Sequence, residues 1–281
     1  MANQLFDKIW HQKLRRPYKL ASIIDEGEGN PPVVLLHGIG RTASIWENVV
    51  TLLKDKHRVV ALDLLGFGAS PKPDWKDYNT DDHVESVVAT IKKMKLDKPV
   101  ILVGHSMGCL VAVRLALLYP DMVKRMVLYE MPLYEGLPNK AIYRLRTDLY
   151  LRFFQKVTSY QPKFDSEKAR LVEKLATKVI GLQVDETTWQ PFIRSLENTI
   201  VKQTTTEDIK QIGIPMDVIY GSLDMLVIRG KPQKFFGADS DHITSHTIRA
   251  RHNISPKAAA FIVERIVAAT SELPTTVESV T

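Results

Sequence analysis

A serine at the centre of a five-residue pattern is the first candidate for chemistry in this sequence. Ser106 lies in the pattern GHSMG at positions 104–108, which follows the apolar run Val100–Val103 and precedes an apolar stretch that begins at Leu110. A glycine on each side of the serine allows a strand to turn sharply into a helix, because the two elements then pass each other without side-chain collision. The spacing predicts a strand, a tight turn and an amphipathic helix, with Ser106 at the apex.

Two further residues supply the groups that a reactive serine needs. A serine hydroxyl is a weak nucleophile unless a base takes its proton, and the base needs a third group that orients it. Asp224 follows a predicted strand that ends at Tyr220, and His252 lies in the loop before the last predicted helix. We therefore expect nucleophilic catalysis, with Ser106 as the nucleophile, His252 as the base and Asp224 as the acid.

Other residues compete for two of these roles. Glu130 follows the predicted strand Val123–Tyr129 and is the alternative acid. His242 and His246 lie before or on the penultimate predicted strand and are alternative bases. Asp224 is preferred as the acid, and His252 is preferred as the base because it lies directly before the final helix.

The elements that position these residues alternate in type. Apolar strands are predicted at Tyr18–Asp25, Val33–Leu36, Arg58–Leu62, Pro99–Val103 and Val123–Tyr129, with helical patterns between the later ones. This alternation predicts a mostly parallel sheet with helices on both faces, so that ligands bind at the carboxyl ends of the strands. Three successive helical patterns, at 140–159, 166–180 and 187–201, then interrupt the alternation.

Composition excludes several kinds of partner. The net charge is +6, but the lysines and arginines are dispersed and do not alternate with aromatic residues, so no nucleic-acid partner is expected. Cys109 is the only cysteine, which excludes an internal disulfide and fits a reducing compartment. The first residues lack the apolar core of a signal peptide, and no stretch has the length of a membrane span. We expect a cytoplasmic location, no membrane partner and, without clustered ligand spacing, no metal.

Five motifs in order resemble those of the α/β-hydrolase fold family. They are HGIG at 37–40, DLLGFGAS at 63–70, GHSMG at 104–108, GSLD at 221–224 and His252. The chain order of serine, acid and histidine is also that of this family and differs from the orders in the two unrelated serine-protease folds. The resemblance covers nearly the whole chain, from about residue 18 to residue 270.

The resemblance implies a specific architecture. It implies an α/β fold with a mostly parallel, eight-stranded sheet and a helical cap inserted after strand 6. The core domain would comprise residues 1–130 and 207–281, and the cap would comprise residues 131–206. By family position, the backbone N–H groups of Ile39 and Met107 would form an oxyanion hole, and the enzyme would need no cofactor.

The resemblance leaves the substrate open among several reactions. We expect a serine hydrolase that cleaves a small-to-medium carboxylic ester through an acyl-enzyme, with Met131 and Leu226 in the substrate pocket. Carbon–carbon bond hydrolases of this fold usually carry Asn before the nucleophile and Trp after the histidine, where this chain has His105 and Asn253. Alternatives are such a carbon–carbon hydrolase, a thioesterase or a ligand-binding protein without catalysis.

Overall fold

One sheet of seven strands forms the centre of the protein. A computed structural model describes residues 7–96, 98–133, 182–224, 227 and 241–271. Within these residues the strand order is β1-β3-β2-β4-β5-β6-β7, and every neighbouring pair is parallel except β1 with β3. The strands are β1 (Ser22–Glu26), β2 (Val33–Leu36), β3 (Val59–Leu62), β4 (Val100–His105), β5 (Val123–Tyr129), β6 (Met216–Gly221) and β7 (Ile243–Ile248).

The fold class is confirmed, but the described sheet has seven strands where eight were predicted. The first predicted strand, Tyr18–Asp25, is shorter and begins only at Ser22. The N–H of Leu20 donates to Thr90 Oγ1 and the N–H of Ala21 donates to Ser70 Oγ, at 2.8 and 2.9 Å. Because side chains take these donors, the segment before Ser22 does not join the backbone ladder of the sheet.

The helices lie between the strands. They are α1 (Glu47–Leu53), α2 (Thr80–Lys93), α3 (Met107–Leu118), α4 (Trp189–Ser195), α5 (Thr205–Ile209) and α6 (Pro256–Ser271), with π-helical turns at Lys8–Lys13 and Leu196–Val201 and 3₁₀ turns at Ala43–Trp46 and Pro120–Met122. The prediction that α3 is amphipathic is wrong. Nine of its twelve residues are buried, since it packs between the sheet and other helices.

Side chains alternate between two apolar cores, one on each face of the sheet. Val34 and Leu36 of β2 point into the core that contains α2 and α3. Val33 and Leu35 point into the core that contains α1 and α6. This separation follows from the two-residue period of a strand, and it explains why strands covered on both faces are apolar throughout.

Most of the predicted cap lies outside the described residues. This holds for the helices predicted at 140–159 and 166–180, whereas the one predicted at 187–201 is present as α4 and the π-helical turn that follows it. The described chain breaks off at Leu133, after the fifth strand of the described sheet, although the prediction placed the cap after strand 6. The numbering differs because the family resemblance implied eight strands, whereas the described sheet has seven. No helix among the described residues is both long and apolar enough to cross a membrane.

Two adjacent leucines of α1 test the core on the second face of the sheet. Leu53 is fully buried, whereas Leu52 is 50% exposed. Leu53→Ala is expected to lower the free energy of unfolding by about 2–5 kcal/mol, because it leaves a cavity in a packed core. Leu52→Ala, the matched control, should change it by less than about 0.5 kcal/mol. Urea denaturation measures both values, and equal losses would contradict the packing described.

Candidate active site

Ser106 occupies a strained turn between β4 and α3. Its backbone angles are φ 52° and ψ −120°, a region that residues with a side chain rarely adopt. The turn is held on both sides, because the N–H of Ser106 donates to Tyr129 O at 3.0 Å and its carbonyl accepts from Cys109 N at 2.9 Å. The hydroxyl is thus presented from a rigid support at the carboxyl edge of the sheet.

The two flanking glycines permit this turn. A Cβ atom on Gly108 would lie 2.2 Å from the carbonyl oxygen of Leu36, and one on Gly104 would lie 2.7 Å from the backbone of Cys109. Both distances are well below van der Waals contact, so any side chain would push α3 away from β2 and β4. The glycine spacing seen in the sequence thus reflects backbone packing around Ser106.

His252 and Asp224 form a hydrogen-bonded pair at the same edge. His252 Nδ1 lies 2.8 Å from Asp224 Oδ2, and the Asp224 side chain is 1% exposed. The turn after β6 is joined to the loop that carries His252, since Ser222 N donates to Ile248 O at 2.7 Å and Leu223 N donates to Ala250 O at 2.9 Å. The bond through Nδ1 leaves Nε2 as the basic ring nitrogen of His252.

Glu130 is the second carboxylate at this place. It is fully buried at φ 54°, and its Oε1 accepts the N–H of Gly221 at 2.6 Å. Potential ligand atoms of Glu130, Asp224 and His252 all lie within 4.8 Å of one another. The structure therefore brings both candidate acids together, with Asp224 bonded to the histidine and Glu130 bonded to the turn that carries Asp224.

Two buried side chains hold the His252 loop from below. His105 Nε2 lies 2.9 Å from the carbonyl oxygen of His252, and burial lowers the pKa of His105 well below its usual range. The ring is therefore neutral and donates through Nε2–H. The Tyr129 hydroxyl donates to Arg251 O at 2.7 Å, and burial raises its pKa, so it remains a donor.

The loop after β2 places Gly38 beside the serine, since a Cβ on Gly38 would lie 3.0 Å from Ser106 Cβ. His37 Nδ1 donates to Gly38 O at 2.8 Å, and its Nε2 accepts from Leu64 N at 2.9 Å. Burial lowers the pKa of His37 to about 4, which keeps the ring neutral as this pair of bonds requires. Within the described residues, no hydrogen bond donated by the backbone N–H of Ile39 or Met107 is found.

The alternative bases lie elsewhere. His246 Nε2 is 2.7 Å from Asp217 Oδ1, on β7, the terminal strand of the sheet. His242 precedes β7, at the opposite end of the strands from Ser106. Cys109 is not a competing nucleophile, because burial raises the pKa of its thiol well above the usual value. Met131, predicted in the pocket, is fully buried directly after Glu130. Leu226 lies outside the described residues.

Sequence reasoning missed the residues that cover the loop at Gly40. Leu182 and Val184 would lie 3.2 and 3.3 Å from a Cβ on Gly40, and the N–H of Gln183 donates to Gly40 O at 2.6 Å. The apolar residues at positions 182 and 184 indicated a buried segment. Their spacing contained no information that the segment packs on the loop at Gly40, far earlier in the chain. This segment lies between the second and the third predicted helix of the cap.

One group of side chains has metal-binding chemistry in the part of the chain that the structure describes. It consists of Glu130, Asp224 and His252. Two of their ligand atoms, Asp224 Oδ2 and His252 Nδ1, are bonded to each other, and Glu130 Oε1 holds the Gly221 amide. This arrangement fits a hydrogen-bonded catalytic group better than a cation site, which would need these atoms to turn toward the ion.

Several known proteins are similar to this chain. It is 38% identical over 140 residues to the probable lysophospholipase BODYGUARD 4 of Arabidopsis thaliana, a match that covers 47% of this chain but only 33% of that protein. It is 27% identical to the 2-hydroxy-6-oxo-6-(2'-aminophenyl)hexa-2,4-dienoic acid hydrolase of Metapseudomonas resinovorans, with 78% of this chain and 76% of that protein covered. It is 25% identical to the Karrikin insensitive 2 receptor IA of Petunia hybrida, with 74% and 78% covered.

Structural comparison leads to the same fold. The enol-lactonase of Burkholderia xenovorans LB400 superimposes with a TM-score of 0.65 at 20% identity, over 90% of this chain and 96% of that one. A family model described as alpha/beta hydrolase fold matches residues 31–179, more than half of the chain and including the turn at Ser106. The chain belongs to the α/β-hydrolase fold family.

Proposed function

We propose that this protein is a serine hydrolase that cleaves a small-to-medium carboxylic ester through an acyl-enzyme. The observation that carries the proposal is the 2.8 Å bond between His252 Nδ1 and Asp224 Oδ2, at the sheet edge where the turn presents Ser106. A histidine that is oriented through one ring nitrogen can accept a proton at the other. The three residues thus have the chemistry of a nucleophile, a general base and an orienting acid.

In the first step, Ser106 Oγ attacks the ester carbonyl carbon while His252 Nε2 takes the hydroxyl proton. Negative charge then develops on the carbonyl oxygen, and the N–H groups of Ile39 and Met107 are the proposed donors to it. Loss of one such donor typically lowers turnover about 100- to 1,000-fold. The imidazolium next gives its proton to the leaving alkoxide, which departs as the alcohol and leaves the acyl-serine ester.

In the second step, water replaces the alcohol as the nucleophile. His252 Nε2 takes a proton from the water as its oxygen attacks the acyl carbon, and the same proton then returns to Ser106 Oγ as the acyl–oxygen bond breaks. The carboxylic acid leaves and the free hydroxyl is restored. Asp224 keeps its bond to Nδ1 throughout and stabilises the imidazolium that forms in each step.

The proposed substrate pocket lies between the core and the cap. We assign residues 131–206 to the cap and the remainder to the core domain, with Met131 and Leu226 contributing apolar surface to the pocket. The contact of Leu182 and Val184 with the loop at Gly40 supports this division. The name of the lysophospholipase relative, an enzyme of ester chemistry, favours an ester among the candidate substrates.

Two other functions have support among the relatives. The match to a 2-hydroxy-6-oxo dienoic acid hydrolase extends over 230 residues and favours hydrolysis of a carbon–carbon bond. His105 and Asn253 stand against it, because that group usually has Asn and Trp at these positions. The match to a karrikin receptor over 226 residues favours ligand binding without turnover. A thioester remains a further substrate of the same two-step chemistry.

Removal of the nucleophile or the base tests the enzyme function. Ser106→Ala and His252→Ala are each expected to lower kcat/KM at least about 10,000-fold, because the acyl-enzyme can no longer form. The measurement is hydrolysis of p-nitrophenyl esters from acetate to decanoate, together with labelling by a serine-directed fluorophosphonate. If the wild type neither cleaves an ester nor is labelled at Ser106, ligand binding becomes the better function. Cleavage of a dienoic acid substrate alone would favour the carbon–carbon hydrolase.

The two carboxylates at the site give distinct expectations. Asp224→Asn should lower kcat about 10,000-fold, since the amide no longer holds the correct histidine tautomer. Glu130→Gln should lower kcat far less, because Glu130 Oε1 holds a backbone amide and the histidine keeps its partner. The measurement is kcat for ester hydrolysis by both variants, and thermal melting verifies that each variant is folded. Loss of activity only in a well-folded Glu130→Gln variant would reverse the assignment.

Chelation tests the expectation that no metal takes part. Treatment with EDTA followed by desalting should leave ester hydrolysis unchanged, since the proposed steps use only side chains and backbone amides. Activity that is lost on chelation and restored by a divalent cation would instead indicate a metal at Glu130, Asp224 and His252.

A further inference from the structure

The segment Lys8–Arg16, here called the N-terminal hook, exposes large apolar side chains. Ile9 is 43% exposed, Trp10 is 42% exposed and Leu14 is 55% exposed. These are three of the nine large apolar residues found exposed in the described parts of the chain, and they lie within six consecutive positions. Single exposed apolar residues are common, whereas a local group of them marks a contact surface.

The same segment concentrates positive charge. Residues 7–20 contain Lys8, Lys13, Arg15, Arg16 and Lys19 but only one acidic residue, Asp7. They therefore hold four of the six net positive charges of the whole chain. The sequence analysis considered the basic residues over the full length, where they are dispersed, and so missed this local excess.

The hook is folded against the protein body. The ring of His11 stacks on the ring of Tyr18, with 3.7 Å between ring centroids, and Tyr18 is buried in the core on the face of the sheet that α2 and α3 cover. The Arg16 guanidinium lies over the Trp10 ring, 5.9 Å from its centroid. A surface that is already ordered loses little conformational entropy on binding.

The hook leads, along the chain, to a strand end at the same edge of the sheet as Ser106. It precedes β1, whose first residue, Ser22, pairs with Leu62 at the end of β3. Leu62 pairs with Leu36, and Leu36 in turn pairs with Gly104, two residues before Ser106. The end of β1 that follows the hook in the chain therefore lies at the edge of the sheet that presents Ser106.

We propose that the N-terminal hook docks the protein peripherally on an anionic phospholipid bilayer. Exposed tryptophan and aliphatic side chains insert at the headgroup level, and neighbouring lysines and arginines bind the phosphate and carboxylate groups of the lipids. Nucleic acid fits less well, because its phosphate backbone would leave Ile9 and Leu14 in water. The docking is independent of whether Ser106 acts as a nucleophile.

Vesicle binding of the full chain tests this proposal. The wild type should co-sediment with vesicles of phosphatidylcholine and phosphatidylserine, and more weakly with phosphatidylcholine alone. Leu14→Ser should weaken binding about tenfold through lost apolar insertion. Lys13→Gln combined with Arg15→Gln should weaken vesicle binding about fivefold for each residue replaced. Added salt should also weaken vesicle binding by the wild type.

Matched variants elsewhere on the surface serve as controls. Leu52 is 50% exposed on α1, so Leu52→Ser should bind vesicles as the wild type does. Lys124→Gln combined with Lys257→Gln removes two exposed lysines outside the hook and should also leave binding unchanged. Equal binding by hook and control variants, or no binding by the wild type, would overturn the proposal. If the protein does not bind vesicles but forms a dimer that Leu14→Ser disrupts, the hook contacts a second copy of the chain.

Discussion

The close backbone contact around Ser106 is the constraint on which the site depends. Helix α3 approaches β2 so closely that a Cβ on Gly108 would lie 2.2 Å from the Leu36 carbonyl oxygen. Because α3 lies this close to β2, the chain can turn from β4 into α3 at Ser106, which has a positive φ, and the first residues of α3 are still buried. Apolar packing of α3 on nearly all sides holds the serine in a conformation that an isolated peptide would avoid.

The histidine side of the site depends on buried polar groups that stay neutral. His105 supports the carbonyl of His252, and Tyr129 supports the carbonyl of Arg251. Burial disfavours the charged forms of both side chains, so each remains a hydrogen-bond donor. The base is therefore positioned by its backbone as well as by Asp224.

Two carboxylates converge where the chemistry requires one. Asp224 bonds to the imidazole, whereas Glu130 bonds to Gly221 in the turn that carries Asp224. In an interior from which water is excluded, such division of tasks limits repulsion because each carboxylate faces a donor. Glu130 thereby supports the position of Asp224, whereas the sequence had indicated it as an alternative acid, a second acid or a pocket residue.

The sequence alone determined the features that arise from local chemistry. The glycine spacing around Ser106 predicted the turn, and alternating apolar segments predicted the parallel sheet. Tertiary structure decided where β1 begins, because Leu20 and Ala21 donate to side chains 70 and 49 residues away instead of to a strand. It also decided which acid bonds to His252, since Glu130 and Asp224 both follow strands that end at the same edge. Contacts between distant residues select one of several locally equivalent candidates, and local spacing contains no information about that selection.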